Sequence, residues 1–471
     1  MHASTASNPQ FTLVLLTHKR PAFLRRALQY YQHFPGTLLV LDSSPEPATD
    51  IAARFPNVDY QHLPQFNYRG FQAKIKHGLG LVKTPYVVLA ADDDFILADG
   101  IEQSLDFLEA NPDYGMCHGY NLMYLATGRF TSYYRRDKKL EQEDFGSDDP
   151  RQRVLDYLYA FIPPFYAVTR TALLQDWARQ IPDELSFEWL EVSHVYFLLA
   201  SAKARMLAIP YVVREANYGA SEHNTEVTFA LAMPDPESVA SREAFAGVLA
   251  GLDTPLKGEH EALRAFAKEC FVLMYEGLAA GRSLTAEQLF SSSISAPGAA
   301  PKRSFLANQY VELPFYNKPF FDHLDEIEFL LHAMPAGRLQ LEELEPLWLR
   351  QERLLDVRVD DTPRSQIARA REAVKLAPYN LAVVKRLADL LEQHDDSEEA
   401  ASLQAWARRL EAVRSDGGRA MLAAQPSGRL LDWLQARQPD EASREAALAD
   451  LQQHESRPQI RILLLNLKED G

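Results

Sequence analysis

At 471 residues the chain is too long for one ordinary core, so two or three domains are expected. Its formal charge of −16 argues against a general nucleic-acid binder, since phosphate backbones demand a basic face, but leaves room for a local basic pocket. Two cysteines, Cys117 and Cys270, are too few for a disulfide framework or a zinc site and suit a reducing cytoplasm. The first residues lack a basic segment followed by an apolar one, so no signal peptide is expected. No uninterrupted apolar run approaches the ~18 residues that span a bilayer.

Residues 1–10 are polar. Residues 11–16 form an apolar, strand-like run ending in Thr17-His18-Lys19-Arg20, and Pro21 suits the first turn of a helix. Phe23, Leu24, Ala27, Leu28 and Tyr31 then repeat at helical spacing as far as Phe34. Residues 37–41 read as a second buried strand closed by Asp42-Ser43-Ser44-Pro45, which makes the opening a βαβ unit. A short helix over 51–55 and a short strand over 58–61 follow. Next come Asn67-Tyr68-Arg69-Gly70 and a helix over 71–81 carrying Lys74, Lys76 and His77. Residues 86–91 are another buried strand. Asp99 is placed to cap the next helix, with Glu102 three residues on as in a capping box, and 116–118 reads as a short strand.

Residues 121–149 mix aromatics and charges and read as an irregular or hairpin insertion. Extended chain is expected over 165–169 and helix over 171–179. Phe187-Glu188-Trp189-Leu190-Glu191 opens a long helix to about 203, and a last strand runs over 207–214 into the polar loop 217–225 with His223. Past about residue 240 the pattern turns helical, over 261–278 first, with a linker by composition at 291–301. Helices over 364–376, 381–392 and 397–410 resemble a tetratricopeptide-type hairpin, with Ala373, Ala388, Ala400 and Ala407 at close-packing positions. Gly417-Gly418 breaks that pattern, and 460–467 is an apolar strand or helix. The expected organisation is an α/β domain over 1–240, a helical connector and linker over 241–310, and an α-helical domain over 311–471 with the hairpin at 364–410.

The chemistry gathers at Asp92-Asp93-Asp94, directly after the strand 86–91. Burying one uncompensated carboxylate is costly and three adjacent ones repel, so a cation is expected there. The carboxyl end of a parallel strand is where α/β sheets bind ligands. A hard divalent ion that also touches phosphate oxygens, Mg²⁺ or Mn²⁺, fits. A solvated Asp-rich turn is the plainer alternative.

Gly70-Phe71-Gln72-Ala73 through Gly78-Leu79, Thr84-Pro85-Tyr86-Val87, Asp92-Asp93-Asp94 and Gly100-Ile101 resemble the donor-binding segment of family 2 glycosyltransferases, over roughly residues 11–225. The resemblance implies a GT-A fold, a Rossmann-like and mostly parallel sheet, followed here by the α-helical region. It places Thr17, His18 and Arg20 in the nucleotide pocket and Asp42 on the base or ribose, where an Asx-turn is the structural alternative. Asp92 and Asp94 become the outer members of Asp-x-Asp, with Asp93 able to take either part. Where the family shows Arg-Asn this chain has Ile75-Lys76, so Lys74 or Lys76 is expected on the diphosphate; a plain exposed helical face is the alternative.

Inverting transfer needs a carboxylate to deprotonate the acceptor hydroxyl. The family's Glu-Asp pair falls on Glu191-Val192, which makes Glu191 the expected base and Glu188, nearly a turn earlier on the same face, the runner-up. The alternative is that one of them only stabilises the helix N-terminus. His223 falls where related enzymes sometimes place a histidine near the diphosphate and metal; an ordinary loop histidine is the alternative. The implied activity is a metal-dependent, inverting transfer from a nucleotide-diphosphate-sugar, a UDP-sugar foremost, to a glycan, lipid-linked or protein hydroxyl in bacterial surface glycan synthesis. The implied setting is cytoplasmic or peripheral at the inner membrane face. A sugar nucleotidyltransferase is the competing enzyme reading. Val192 keeps a third alive: a helical scaffold with a non-catalytic GT-A domain.

Overall fold

The computed structural model describes residues 10–66, 70–126, 131–135, 142–160, 164–183, 185, 187–215, 236–274, 318–336, 358, 361–376, 381–394 and 397–414. The linker at 291–301, the loop with His223, Gly417-Gly418 and 460–467 lie outside these residues, as does the side chain of Glu188.

Three apolar runs that cannot face water on either side make the centre of a sheet. They are β1 (Phe11–Thr17), β2 (Thr37–Asp42) and β4 (Tyr86–Ala91). β2 and β4 flank β1 in parallel, and β3 (Val58–His62) adds to β2, also in parallel. The sheet is mixed beyond this parallel half. Its ten strands include the path β3-β2-β1-β4-β9-β6-β10-β5, with β9 (Val168–Arg170) antiparallel between β4 and β6 (Tyr114–Ala126). β10 (Lys203–Glu215) runs parallel to β6, and β5 (Phe95–Ile96) pairs antiparallel with β10. β7 (Thr131–Arg135) forms an antiparallel pair with β6, so the insertion is in part a hairpin; β8 (Glu143–Phe145) pairs with β10.

The helices are α1 (Pro21–Tyr31), α2 (Thr49–Arg54), α3 (Phe71–Leu81), α4 (Ala98–Ala110), α5 (Pro150–Ala160), α6 (Thr171–Gln180) and α7 (Phe187–Ser201). Two glycines let helices approach strands closely. A Cβ at Gly78 would lie 2.2 Å from Leu41 of β2, and one at Gly100 would lie 2.8 Å from Tyr211 and 3.3 Å from the Pro210 carbonyl of β10. Several boundaries differ from expectation. The strand expected at 116–118 runs from Tyr114 to Ala126, because β10 pairs with it as far as Tyr124 and β7 carries it on to Ala126. α7 stops at Ser201, and Lys203 already opens β10. Residues 164–166 form a 3₁₀ turn before β9. Asp99 does not cap α4: the cap position is Leu97 without a side-chain bond, and Asp99 sits inside the first turn, 3.4 Å from His323 Nε2.

The boundary drawn at 240 falls inside the helix Pro236–Ala250. Phe245 of that helix stacks on Trp189 of α7 with centroids 4.3 Å apart, and Phe271 packs beside both at 5.5 and 5.6 Å. The helix Lys318–Ala333 puts Phe320, Leu324, Ile327, Leu330 and Leu331 into the same apolar cluster as Leu24, Ala27, Leu28 and Tyr31 of α1. Further on, Pro363–Leu376, Leu381–Gln393 and Ser397–Arg414 are helical, and Ala373, Ala388, Ala400 and Ala407 are all buried. Both cysteines are free and buried. No helix among the described residues is long and apolar enough to cross a membrane.

Two histidines are sealed in the core. His118 Nδ1 donates to the Gly119 carbonyl (2.8 Å) and its Nε2 accepts from Tyr157 (2.9 Å). His194 lies edge-on to Trp177 and Phe165, and neither ring nitrogen finds a partner among the described residues. Burial pushes His118 down to about 4 and His194 to about 3. These folded values lie below the unfolded one. The neutral rings therefore contribute fully above about pH 6.5, and their contribution drains as pH falls toward 4 and 3, by about 1.4 kcal/mol per pH unit for each ring. Carboxylates titrate over the same range, Asp92 and Asp94 in the opposite sense, so the readout is a difference. Relative to His194→Leu, the wild type should lose about 2 kcal/mol of denaturant stability between pH 7 and pH 5. A constant difference across that range would mean that the ring is not held neutral.

Candidate functional site

The parallel register fixes the site. Thr17 is paired with Asp42 and Leu16 with Ala91, so Thr17, Asp42 and the residue after Ala91, Asp92, stand in a row at the carboxyl ends of β1, β2 and β4. Each polar side chain follows an apolar run that has nowhere else to go, which forces the polar groups together at one edge.

Asp92 is clamped by its neighbours in this row. The Thr17 hydroxyl donates to its Oδ2 (2.6 Å) and the Arg20 guanidinium to its Oδ1 (2.8 Å); Arg20 also reaches Asp93 Oδ2 at 2.9 Å. Arg20 lies over the Phe23 ring at 3.8 Å, which fixes its plane. Lys74 is buried on α3 and donates to the Thr17 carbonyl and to Ser43 Oγ, both at 3.0 Å. Burial pushes its ammonium down to about 8, opposed by Asp92 and Asp42. His18 Nδ1 lies 3.0 Å from the Ser43 carbonyl and 3.1 Å from Ser43 Oγ, and burial lowers its imidazole below the ordinary value. Lys19 takes a left-handed backbone (φ 56°) that folds the turn over β2, where its N–H donates to Ser44 Oγ at 2.7 Å.

Asp42 does form an Asx-turn: Oδ1 accepts the Ser44 N–H at 2.8 Å. Its Oδ2 accepts from Tyr60 at 2.6 Å, and the same hydroxyl accepts the Ala48 N–H at 2.8 Å. Lys76 is not brought into the row. It makes an exposed ion pair with Asp183 at 2.7 Å, because its position on α3 faces away from β1 and β2.

Asp94 is held by residues that the sequence pattern does not single out. Tyr166 donates to Oδ2 at 2.5 Å, the Glu215 N–H donates to Oδ1 at 2.8 Å, and Arg214 Nε lies 3.4 Å from Oδ2. Tyr31 donates to the Asp94 carbonyl at 3.0 Å and accepts the Ile96 N–H at 2.9 Å, and Tyr124 donates to the Asp93 carbonyl at 2.8 Å. Burial, with repulsion from Asp93, pushes Asp94 up to about 7; burial does the same to Asp92 against the pull of Arg20. Glu191, half-buried on α7, stands close enough for its charge to act on Arg214, so it joins the edge of this cluster. The signal for Arg214 was its place: like Asp92, it is a charged residue at the end of an apolar strand.

As placed, Asp92 and Asp94 do not hold out free oxygens to a divalent ion, which takes up its coordination geometry on such oxygens. All four of their carboxylate oxygens accept from protein donors. No group of three or more His, Cys, Asp or Glu able to hold a metal occurs among the described residues.

No family model matches the chain, and no curated protein matches it. Among solved structures it is similar to S. aureus TarS. TarS residues 1–349 share 14% identity at a TM-score of 0.40, over 87% of this chain and 95% of that one. The same fragment in complex with UDP-GlcNAc gives 15% and 0.39 over the same shares. With UDP it gives 15% and 0.39, over 86% of this chain and 91% of that one. At such values the site has to be read from its own side chains.

Proposed function

We propose that this chain is a GT-A glycosyltransferase that moves a sugar from a nucleotide-diphosphate-sugar, a UDP-sugar, to a hydroxyl of a glycan, a lipid-linked glycan or a protein, with inversion. The observation that carries the reading is the row of Thr17, Asp42 and Asp92 at three parallel strand ends, interleaved with Arg20 and Lys74. Acceptors for a ribose or base and cations for phosphates meet there, in the crevice where α/β sheets take nucleotides. The Glu191 carboxylate would accept the proton of the acceptor hydroxyl as its oxygen attacks the anomeric carbon. The bond from that carbon to the diphosphate oxygen breaks, and the nucleoside diphosphate leaves with the bonding pair, its growing charge met by fixed cations.

TarS was crystallised with UDP and with UDP-GlcNAc, which makes these two the first probes. A thermal-shift screen of nucleotides and nucleotide-sugars should find a pyrimidine or purine diphosphate that raises Tm, and turnover of its sugar conjugate should release the nucleoside diphosphate. Release of pyrophosphate instead would make the protein a nucleotidyltransferase. Binding without any turnover would leave the non-catalytic reading standing.

A further inference from the structure

We infer that Arg20 and Arg214 do the charge compensation expected of a divalent ion, so that this chain binds its nucleotide-sugar donor without one. The inference rests on the nucleotide-sugar reading. It starts from which charges the crevice shows to solvent. The side chains of Asp92 and Asp94 are 2% and 4% exposed, whereas those of Arg20 and Arg214 are 35% and 25% exposed. An approaching ligand therefore meets guanidinium groups with the carboxylates behind them. That order of layers fits a diphosphate, which guanidinium binds as a planar, multi-donor partner, and does not fit a hard cation.

The carboxylate oxygens are also engaged. Oδ1 and Oδ2 of Asp92 accept from Arg20 and Thr17, and Asp93 Oδ2 accepts from Arg20. Oδ1 of Asp94 accepts from the Glu215 N–H, and its Oδ2 from Tyr166 with Arg214 beside it. An ion seeking oxygens at ~2.1 Å would have to share them with, or displace, a guanidinium and a buried tyrosine hydroxyl. Both arginines are held against moving away. Arg20 lies on the Phe23 ring at 3.8 Å, and Arg214 packs over the Tyr166 ring at 5.5 Å. Arg214 lies 3.4 Å from Asp94 and close enough to Glu191 to feel its charge.

A calorimetric titration of the full-length protein with UDP and UDP-GlcNAc, and with any nucleotide the screen selects, tests this, once in excess EDTA and once in Mn²⁺ or Mg²⁺. The expected result is the same affinity in both. Binding seen only with the ion overturns the inference and leaves the nucleotide-sugar reading intact. Binding under neither condition overturns both. Arg214→Met keeps length and removes charge, and should weaken donor affinity by about 10-fold or more, as losing a hydrogen bond to a charged group does. Arg214→Lys should recover part of that loss. If Arg214→Met does not fold, the EDTA comparison on the wild type decides alone. Affinity unchanged in a folded Arg214→Met would also overturn the inference.

Discussion

Glu191→Gln should lower turnover by about 10²–10⁴-fold, the contribution typical of a positioned general base, while donor affinity stays as in the wild type. Gln keeps the shape of the side chain and its hydrogen-bonding oxygen but cannot take a proton. The position on α7 suits a base, since Glu191 is half-buried and close enough to Arg214 for its charge to be felt there. In free-energy terms the loss is about 3–5 kcal/mol of barrier, realised only in the transition state, so it belongs in kcat and not in KM. Glu188→Gln, one turn earlier, should cost far less. A dead Glu188→Gln beside an active Glu191→Gln would move the base by that turn, and two active variants would put the base on another element.

Strands whose two faces are both buried announce themselves, and β1, β2 and β4 were legible for that reason: each is a short, nearly unbroken apolar run. The carboxylate triplet was equally plain, because three adjacent Asp after such a run demand compensation. What compensates them was not legible. Arg20 follows β1 and Arg214 is the last residue but one of β10, far apart in sequence, and only the sheet brings them to Asp92 and Asp94. Tyr166 was hidden for another reason: residues 164–166 make a 3₁₀ turn, where an extended segment was expected, and that turn presents its hydroxyl to Asp94. Lys74 and Lys76 are two residues apart on one helix, and composition cannot separate them. Helix geometry does, burying Lys74 among strand ends and leaving Lys76 to Asp183. The cap expected at Asp99 failed because the strand before α4 runs straight into it at Leu97, so the acid falls within the first turn.

Deleting residues 318–471 should destabilise the sheet domain outright and should not release it as an independent unit. Composition alone argues for a separable C-terminal module, since the helical pattern begins well beyond the sheet. The packing argues otherwise. Phe320, Leu324, Ile327, Leu330 and Leu331 are each 5% exposed or less and share a cluster with Leu24, Ala27, Leu28 and Tyr31 of α1. Fully burying one such side chain is worth ~1.5–3 kcal/mol. Losing even part of that burial removes a large share of the about 5–15 kcal/mol by which a domain is stable. The deletion would also bare the outer face of α1 as an apolar patch, which invites association. Protein ending at residue 317 should therefore be insoluble, or melt well below the full chain. Because a truncation can fail for trivial reasons, Ile327→Asp in the full chain is the sharper variant: it sets a charge at a fully buried position of the same contact and should lower Tm strongly. A truncated protein that stays monomeric with an unchanged Tm, or an Ile327→Asp variant as stable as the wild type, would show that this helix does not lie on α1 in solution and would restore the modular reading.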